Sequence, residues 1–345
     1  MTDEGLDPTP IEDRLLFLIS SPRAGSTMLA RMLGAHPDVH SPAEPHLLTP
    51  LAHLGYYNHV ERAPYDPIIA REAVRTLVAD LPGGEADYLK ALRRYSDSLY
   101  ADLLAPSGRR LLLDKTPAYA LVLDFAARLY PRARYLVLTR NPMAIWCSYV
   151  ESFFDGDFES AHRHNPLLER YVPAIARFLR DANVPKHAIR YEDLVRDPET
   201  LVPALCKWAG LTFTPAMIDY GSAGEVATGR GLGDPVTVAR ESRPTTASLS
   251  RWAKDLAGRP EAVAQCTRIL ASLDDADLET WGYSRAAMQT ELDAVAGARG
   301  RSRRRPLSRH SLERKLLVGL RRNIQKNAFG RLIRRIRSAC DVLLR

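Results

Sequence analysis

Arg23 stands in the run Ser20-Ser21-Pro22-Arg23-Ala24-Gly25-Ser26-Thr27, a permanent cation among small residues. The run joins a wholly apolar segment, Leu15 to Ile19, to a stretch whose apolar residues Met28, Leu29, Met32 and Leu33 recur at helical spacing. A buried strand, a short loop and a helix N-terminus aim backbone N–H groups and a positive dipole end at one point, which suits a phosphate. The guanidinium fork of Arg23 matches phosphate oxygens. The loop is not a Walker A sequence, because GxxxxGK[ST] is absent. A second cation, Arg140, follows the buried-strand run Arg134 to Leu138, and Ser148 lies two helical turns beyond it. Proton acceptors come from Ala43-Glu44-Pro45-His46, where Glu44 and His46 compete, an unperturbed histidine titrating near neutral pH. A further cation, Lys115, sits in Asp114-Lys115-Thr116-Pro117 after Leu111 to Leu113. Each of these also has a plain reading: a capped helix start, a rim loop or a solvated lysine.

Four short strands must position them. Leu15–Ile19, a segment around Val39, Leu111–Leu113 and Arg134–Leu138 are brief apolar runs, the pattern of strands buried on both faces of a parallel sheet. Open α/β sheets bind ligands beyond the carboxyl ends of their strands, where Arg23, Glu44, Lys115 and Arg140 all fall. The length of 345 residues and a hydrophobic share of 46% are ample for one large core. No run approaches the roughly 18 apolar residues of a membrane span, and the start, MTDEGLDPTP, is acidic, so a cytoplasmic protein is expected. Cys147, Cys206, Cys266 and Cys340 form no CxxC pair, which points to neither a disulfide framework nor a zinc site. His162-Arg163-His164 lacks a second ligand pair and reads as an exposed loop, so no metal is expected.

Four segments, taken in order, resemble the sulfotransferase superfamily. Pro22-Arg23-Ala24-Gly25-Ser26-Thr27-Met28-Leu29 is similar to the family's 5′-phosphosulfate loop in its bacterial PRxGTTxL form, and Arg140 with Ser148 to its 3′-phosphate signature. Tyr191-Glu192-Asp193-Leu194 resembles the recurrent YEDL segment, and Ser248-Leu249-Ser250-Arg251-Trp252 the late S-[KR]-W element. The resemblance, which also takes in tyrosylprotein and heparan-type relatives, runs from about residue 14 to about 285. It implies a P-loop-like three-layer α/β fold with a central parallel sheet flanked by helices. It implies 3′-phosphoadenosine 5′-phosphosulfate (PAPS) as co-substrate, without a metal. Carried over by residue, Arg23, Ala24, Gly25, Ser26, Thr27 and Met28 would cradle the 5′-phosphosulfate. Arg140 and Ser148 would hold the 3′-phosphate, and Tyr191 and Arg251 would close around the nucleotide. Glu44 falls where relatives carry a catalytic Glu, with His46 the competing base, and Lys115 where Golgi-type members use a Lys on the transferring group. Arg23 joins these as a catalytic cation, standing where many members carry Lys. Gly231-Leu232-Gly233-Asp234-Pro235 resembles the GDP element of bacterial members and replaces the GxxGxxK motif of cytosolic mammalian ones, leaving the late nucleotide contacts open.

The charge is unevenly spread. The whole chain carries +7, yet residues 299–345 hold 16 Lys and Arg against Glu313 and Asp341, so residues 1–298 are net acidic. The division expected is a catalytic domain over 1–285, a flexible basic linker over 286–306 and a basic amphipathic helical tail over 307–345. Leu312, Leu316, Leu320 and Ile324 recur every four residues in that tail, opposite Arg and Lys. Such a stripe suits an anionic membrane surface, or packs on the enzyme or on a second copy in a homodimer. Nucleic acid is not expected, since the body is acidic and no base-reading motif is present. Residues 50–105 and 153–187 hold helical patterns with aromatics such as Tyr56, Tyr57, Tyr65 and Tyr88, and with Arg93-Arg94-Tyr95, suited either to an acceptor pocket or to plain core. The leading expectation is therefore sulfuryl transfer to a hydroxyl or amine of a carbohydrate, lipid or small molecule. Two other readings remain, a P-loop-like ATP-dependent kinase and a non-catalytic nucleotide-binding protein recruited to membranes by its tail.

Overall fold

The computed structural model of the chain describes residues 9–57, 67–222 and 242–297. Five parallel strands form one sheet: β1 (Leu15–Ser20), β2 (Val39–His40), β3 (Leu111–Asp114), β4 (Arg134–Thr139) and β5 (Lys186–Arg190), in the order β2-β3-β1-β4-β5. Phe17 pairs with Asp114 on one side and Tyr135 on the other. Chain order therefore departs from β1 in both directions, which makes the carboxyl end of β1 a topological switch point.

Successive side chains of each strand enter opposite layers. Leu15, Phe17, Ile19, Tyr135 and Val137 join one apolar core, while Leu16, Leu18, Leu136 and Leu138 join another. The second layer is closed by α1 (Ser26–Gly34), and by α9 (Tyr191–Arg196) and α10 (Pro198–Ala209), which follow β5. The first layer is broader. After the short α2 (Leu48–Ala52) and α3 (Pro67–Asp80) come α4 (Glu85–Leu104), α5 (Leu123–Leu129), α6 (Pro142–Phe154), α7 (Phe158–His164) and α8 (Leu167–Asp181). The chain then closes with α11 (Arg251–Leu256), α12 (Pro260–Ser272), α13 (Asp275–Trp281) and α14 (Arg285–Ala296). Burying both faces of the sheet accounts for the unbroken apolar runs of β1 and β4.

The three-layer α/β arrangement is the one expected. Strand β5 was not anticipated: Lys186-His187-Ala188-Ile189-Arg190 is polar because it is an edge strand and buries little beyond Ile189. The segment 162–164 is also a correction, lying in α7 instead of a loop. There the His162 ring meets Trp146 edge-on at 5.9 Å, and Nε2 pairs with Glu169 at 2.5 Å. Among the described residues no helix is long and apolar enough to cross a membrane. The Gly231–Pro235 element, Tyr65 and the tail over 299–345 lie outside the described residues.

Candidate active site

The loop between β1 and α1 bends through two left-handed residues, Arg23 at φ 69° and Gly25 at φ 98°. Gly25 is the N-cap of α1, and having no side chain it offers no side-chain cap to the helix. The amides of Met28 and Leu29 already donate to Gly25 O, at 3.0 and 3.2 Å. The first amides of an α-helix have no partner within it, so those of Ser26 and Thr27 are the helix's open donors. A Cβ at Gly25 would lie 2.5 Å from the ring of Tyr191, so only glycine lets this loop close against the start of α9.

Arg140 follows β4, directly beside the β1 loop. Its Nη1 donates to Arg23 O at 3.0 Å, and its guanidinium lies 4.3 Å from the centre of the Tyr191 ring. It is 8% exposed, and its Nε finds no hydrogen-bond partner among the described residues. Burial lowers its proton affinity and neighbouring Arg23 adds to that, while Tyr191, Glu192 and Tyr283 oppose. Arginine nevertheless stays charged in proteins, so this is a half-satisfied cation inside the protein. Arg23 Nε donates to Ser148 Oγ at 3.1 Å, which brings the two candidate anion ligands from residues 23 and 148 into contact.

Distant residues hold this arrangement. Asn141 caps α6, its Oδ1 accepting from Met143 N at 2.9 Å and Ala144 N at 3.3 Å, and so fixes the helix that carries Ser148. Glu192 accepts from Asn141 N at 2.9 Å and from the Tyr283 hydroxyl, and Trp281 Nε1 donates to Arg140 O at 2.8 Å. Neither Trp281 nor Tyr283 was singled out from the sequence; the contacts span some 90 to 140 residues, and no local pattern signals them. Tyr191 bonds to Ser248 Oγ at 2.7 Å, tying the late segment to the loop. Arg251, expected at the nucleotide, opens α11 with 60% of its side chain exposed, 3.8 Å from Asp255. The spacing of the segment thus brings Ser248 inward and turns Arg251 outward.

On the other flank of β1, Lys115 follows β3 and Glu44 follows β2. Lys115 Nζ donates to Glu44 Oε1, and His46 Nε2 lies 3.2 Å from Glu44 Oε2. Lys115 and Glu44 are 10% and 13% exposed at the side chain, against 38% for His46. The two candidate bases therefore share one cluster instead of offering alternative sites. Tyr171 of α8 faces the same cluster: burial pushes its hydroxyl up to about 12, with Glu44 among the charges that reinforce the rise. Among the described residues no group of three or more His, Cys, Asp or Glu side chains could hold a metal ion.

Elsewhere a cleft of about 710 Å³ is lined by Tyr56, Tyr57, Phe125, Arg128, Ala174 and Arg177 among others. The Tyr57 ring lies tilted against Phe125 with centroids 4.8 Å apart, and its hydroxyl donates to Glu85 at 3.2 Å. By contrast Arg93 pairs with buried Glu12 and lies 5.2 Å from the Tyr130 ring, which makes it a structural residue.

A sequence model of the sulfotransferase family matches residues 16–215, more than half of the chain. Nodulation protein NoeE of Sinorhizobium fredii (strain NBRC 101917 / NGR234) is 37% identical over 236 residues, covering 62% of this chain and 53% of that protein. A putative protein-tyrosine sulfotransferase of Caenorhabditis briggsae is 22% identical over 214 residues, covering 60% of this chain and 69% of that one. The chain thus spans about half the length of NoeE. Among solved structures, the sulfotransferase domain from the Synechococcus PCC 7002 olefin synthase aligns with TM-score 0.47 and 28% identity, over 73% of this chain and 90% of that domain. The chain belongs to the sulfotransferase family.

Proposed function

We propose that the protein moves a sulfuryl group from PAPS to a hydroxyl or amine of a carbohydrate, lipid or small-molecule acceptor. The observation that carries the donor assignment is Arg140, a buried guanidinium with an unpartnered Nε beside Arg23 and Ser148. A buried donor left unmade is costly, and an anion such as the 3′-phosphate would complete it. Arg140 and Ser148 would hold that phosphate. Arg23, with the loop from Ala24 to Met28, would hold the 5′-phosphosulfate against the N-terminus of α1. When bound, PAPS supplies the activated sulfuryl group.

The remaining work falls to the chain. Glu44 takes the proton from the acceptor, a role worth about 10²–10⁴ in rate for a well-placed general base. Lys115, now bonded to Glu44, turns its ammonium to the negative charge that develops on the transferring group. His46, on the second oxygen of Glu44 and more exposed, passes the proton towards solvent. Acceptor and donor groups held in line supply much of the acceleration, as in phosphoryl transfer. The aromatic and basic cleft is assigned to the body of the acceptor, since its walls continue the chain from the catalytic segments. Residues 56 and 57 follow Glu44, residues 120–125 follow Lys115, and Ala174 lies one helical turn from Tyr171.

The basic stripe of residues 307–345 is assigned to an anionic membrane at its cytoplasmic face, which suits a lipid-linked acceptor. Calorimetric titration with 3′-phosphoadenosine 5′-phosphate, beside AMP, ADP and ATP without magnesium, tests the donor. Tight binding of the 3′-phosphorylated nucleotide alone supports the assignment; preference for ATP, or no binding, sinks it.

A further inference from the structure

We propose that Asp114 is a positioning residue that locks the Glu44-bearing loop against Lys115; its mechanistic meaning rests on the sulfotransferase reading above. Asp114 ends β3 and is wholly buried. Its partners are hydroxyls: Tyr100 and Tyr119 donate to Oδ2 at 2.7 and 3.0 Å, and Thr116 donates to Oδ1 at 2.9 Å. An ionised carboxylate only accepts, so each of these hydroxyl protons is committed to Asp114 and the oxygen lone pairs face elsewhere.

Two of the three face the catalytic loop. Tyr119 Oη accepts from Leu48 N at 3.1 Å, and Thr116 Oγ1 accepts from His46 N at 3.4 Å. The third, Tyr100, reaches down from α4. One carboxylate thus fixes, through two hydroxyls, two backbone amides that follow Glu44, those of His46 and Leu48. It also adjoins Lys115 in the chain. Both members of the Glu44–Lys115 pair are therefore referenced to the same buried group. The loop needs such a clamp, because His46 adopts φ 53°, a left-handed conformation that a non-glycine residue keeps only where its surroundings impose it. Burial raises Asp114 to about 6, against the hydroxyls that favour its charged form, so the carboxylate is retained at a cost that packing alone does not require.

The three donors supply an internal control. Tyr119→Phe and Thr116→Val each cut one relay to the loop, whereas Tyr100→Phe removes a bond to Asp114 and no relay. Turnover of PAPS with p-nitrophenol as probe acceptor, affinity for 3′-phosphoadenosine 5′-phosphate and amide hydrogen exchange are measured on the full chain. Asp114→Asn and the Thr116→Val/Tyr119→Phe pair should lose about 10- to 100-fold in kcat, the scale of an ångström-level misplacement. KM for PAPS and affinity for the product nucleotide should stay within about twofold, and exchange should rise selectively at His46 and Leu48. Tyr100→Phe should cost less than about threefold. Equal losses from Tyr100→Phe and Tyr119→Phe, or unchanged kcat and exchange in Asp114→Asn, would overturn the proposal. Should p-nitrophenol give no turnover with the parent protein, exchange decides alone: a selective rise at 46 and 48 supports the clamp, and a general rise or none refutes it. Failure of the parent protein to bind the product nucleotide would instead count against the donor assignment.

Discussion

Replacing Gly25 by alanine tests whether the β1 loop, Tyr191 and Arg140 are one unit. The new Cβ would stand 2.5 and 2.6 Å from two carbons of the Tyr191 ring, inside any normal carbon contact. The φ of 98° adds a backbone cost of about 1–2 kcal/mol for a residue with a Cβ. The ring cannot turn away cheaply, being 6% exposed, stacked 4.3 Å from the Arg140 guanidinium and bonded to Ser248. Moving it gives up a cation–π contact of about 0.5–2 kcal/mol. The hydroxyl bond is worth about 1 kcal/mol more. Taken together, Gly25→Ala should cost about 2–5 kcal/mol, divided between stability and nucleotide affinity, each decade of affinity taking about 1.4 kcal/mol. Urea unfolding and calorimetry with 3′-phosphoadenosine 5′-phosphate measure the two parts. The double variant Gly25→Ala/Tyr191→Ala has no ring to collide with, so the pair should be non-additive by at least about 1 kcal/mol. Strict additivity, or a Gly25→Ala protein within about 0.5 kcal/mol and twofold of the parent, would refute the reasoning.

Glu44→Gln should lower turnover by about 10²–10⁴ and leave product-nucleotide affinity within about twofold, as read by single-turnover kinetics and calorimetry. Arg140→Ala should do the reverse, weakening that affinity by about 10- to 100-fold, the loss of a charged hydrogen bond, without affecting AMP comparably. Asp114 predicts a pH dependence of stability: burial raises it from 3.8 to about 6 in the folded chain, so the native state binds its proton more tightly than the unfolded one. Its contribution to stability therefore falls as pH rises between those values, by up to about 3 kcal/mol, and urea midpoints of the parent and Asp114→Asn should diverge over that range. Deleting residues 299–345 should abolish sedimentation with anionic liposomes and spare nucleotide binding; a truncated protein that still sediments excludes the tail as the membrane contact.

The strands that carry the site were legible because burial on both faces leaves uninterrupted apolar runs at 15–19, 111–113 and 135–138. Strand β5 was not, since an edge strand needs no such run. The loop at Arg23 and the cation at Arg140 could be placed from strand ends alone. Their coupling could not, because Arg140 reaches Arg23 O across 117 residues and Trp281 reaches Arg140 O across 141. Sequence left Glu44 and His46 as rivals two residues apart, and only the fold brings both imidazole and carboxylate to Lys115's side of β1. Asp114 carries no signal of its own in the sequence; its place as a hydrogen-bond hub depends on Tyr100 reaching it from α4 and Tyr119 from the turn over 117–121.

Strand order divides labour around β1. The groups assigned to the nucleotide follow β1 and β4, whereas Glu44, Lys115 and the cleft residues Tyr57 and Phe125 belong to the stretch of chain from β2 through α5. That separation makes the fold evolvable in halves. On the proposed assignment, a lineage can exchange, lengthen or remodel the connection between β2 and β3, and so acquire a new acceptor, while the half assigned to the donor descends unchanged.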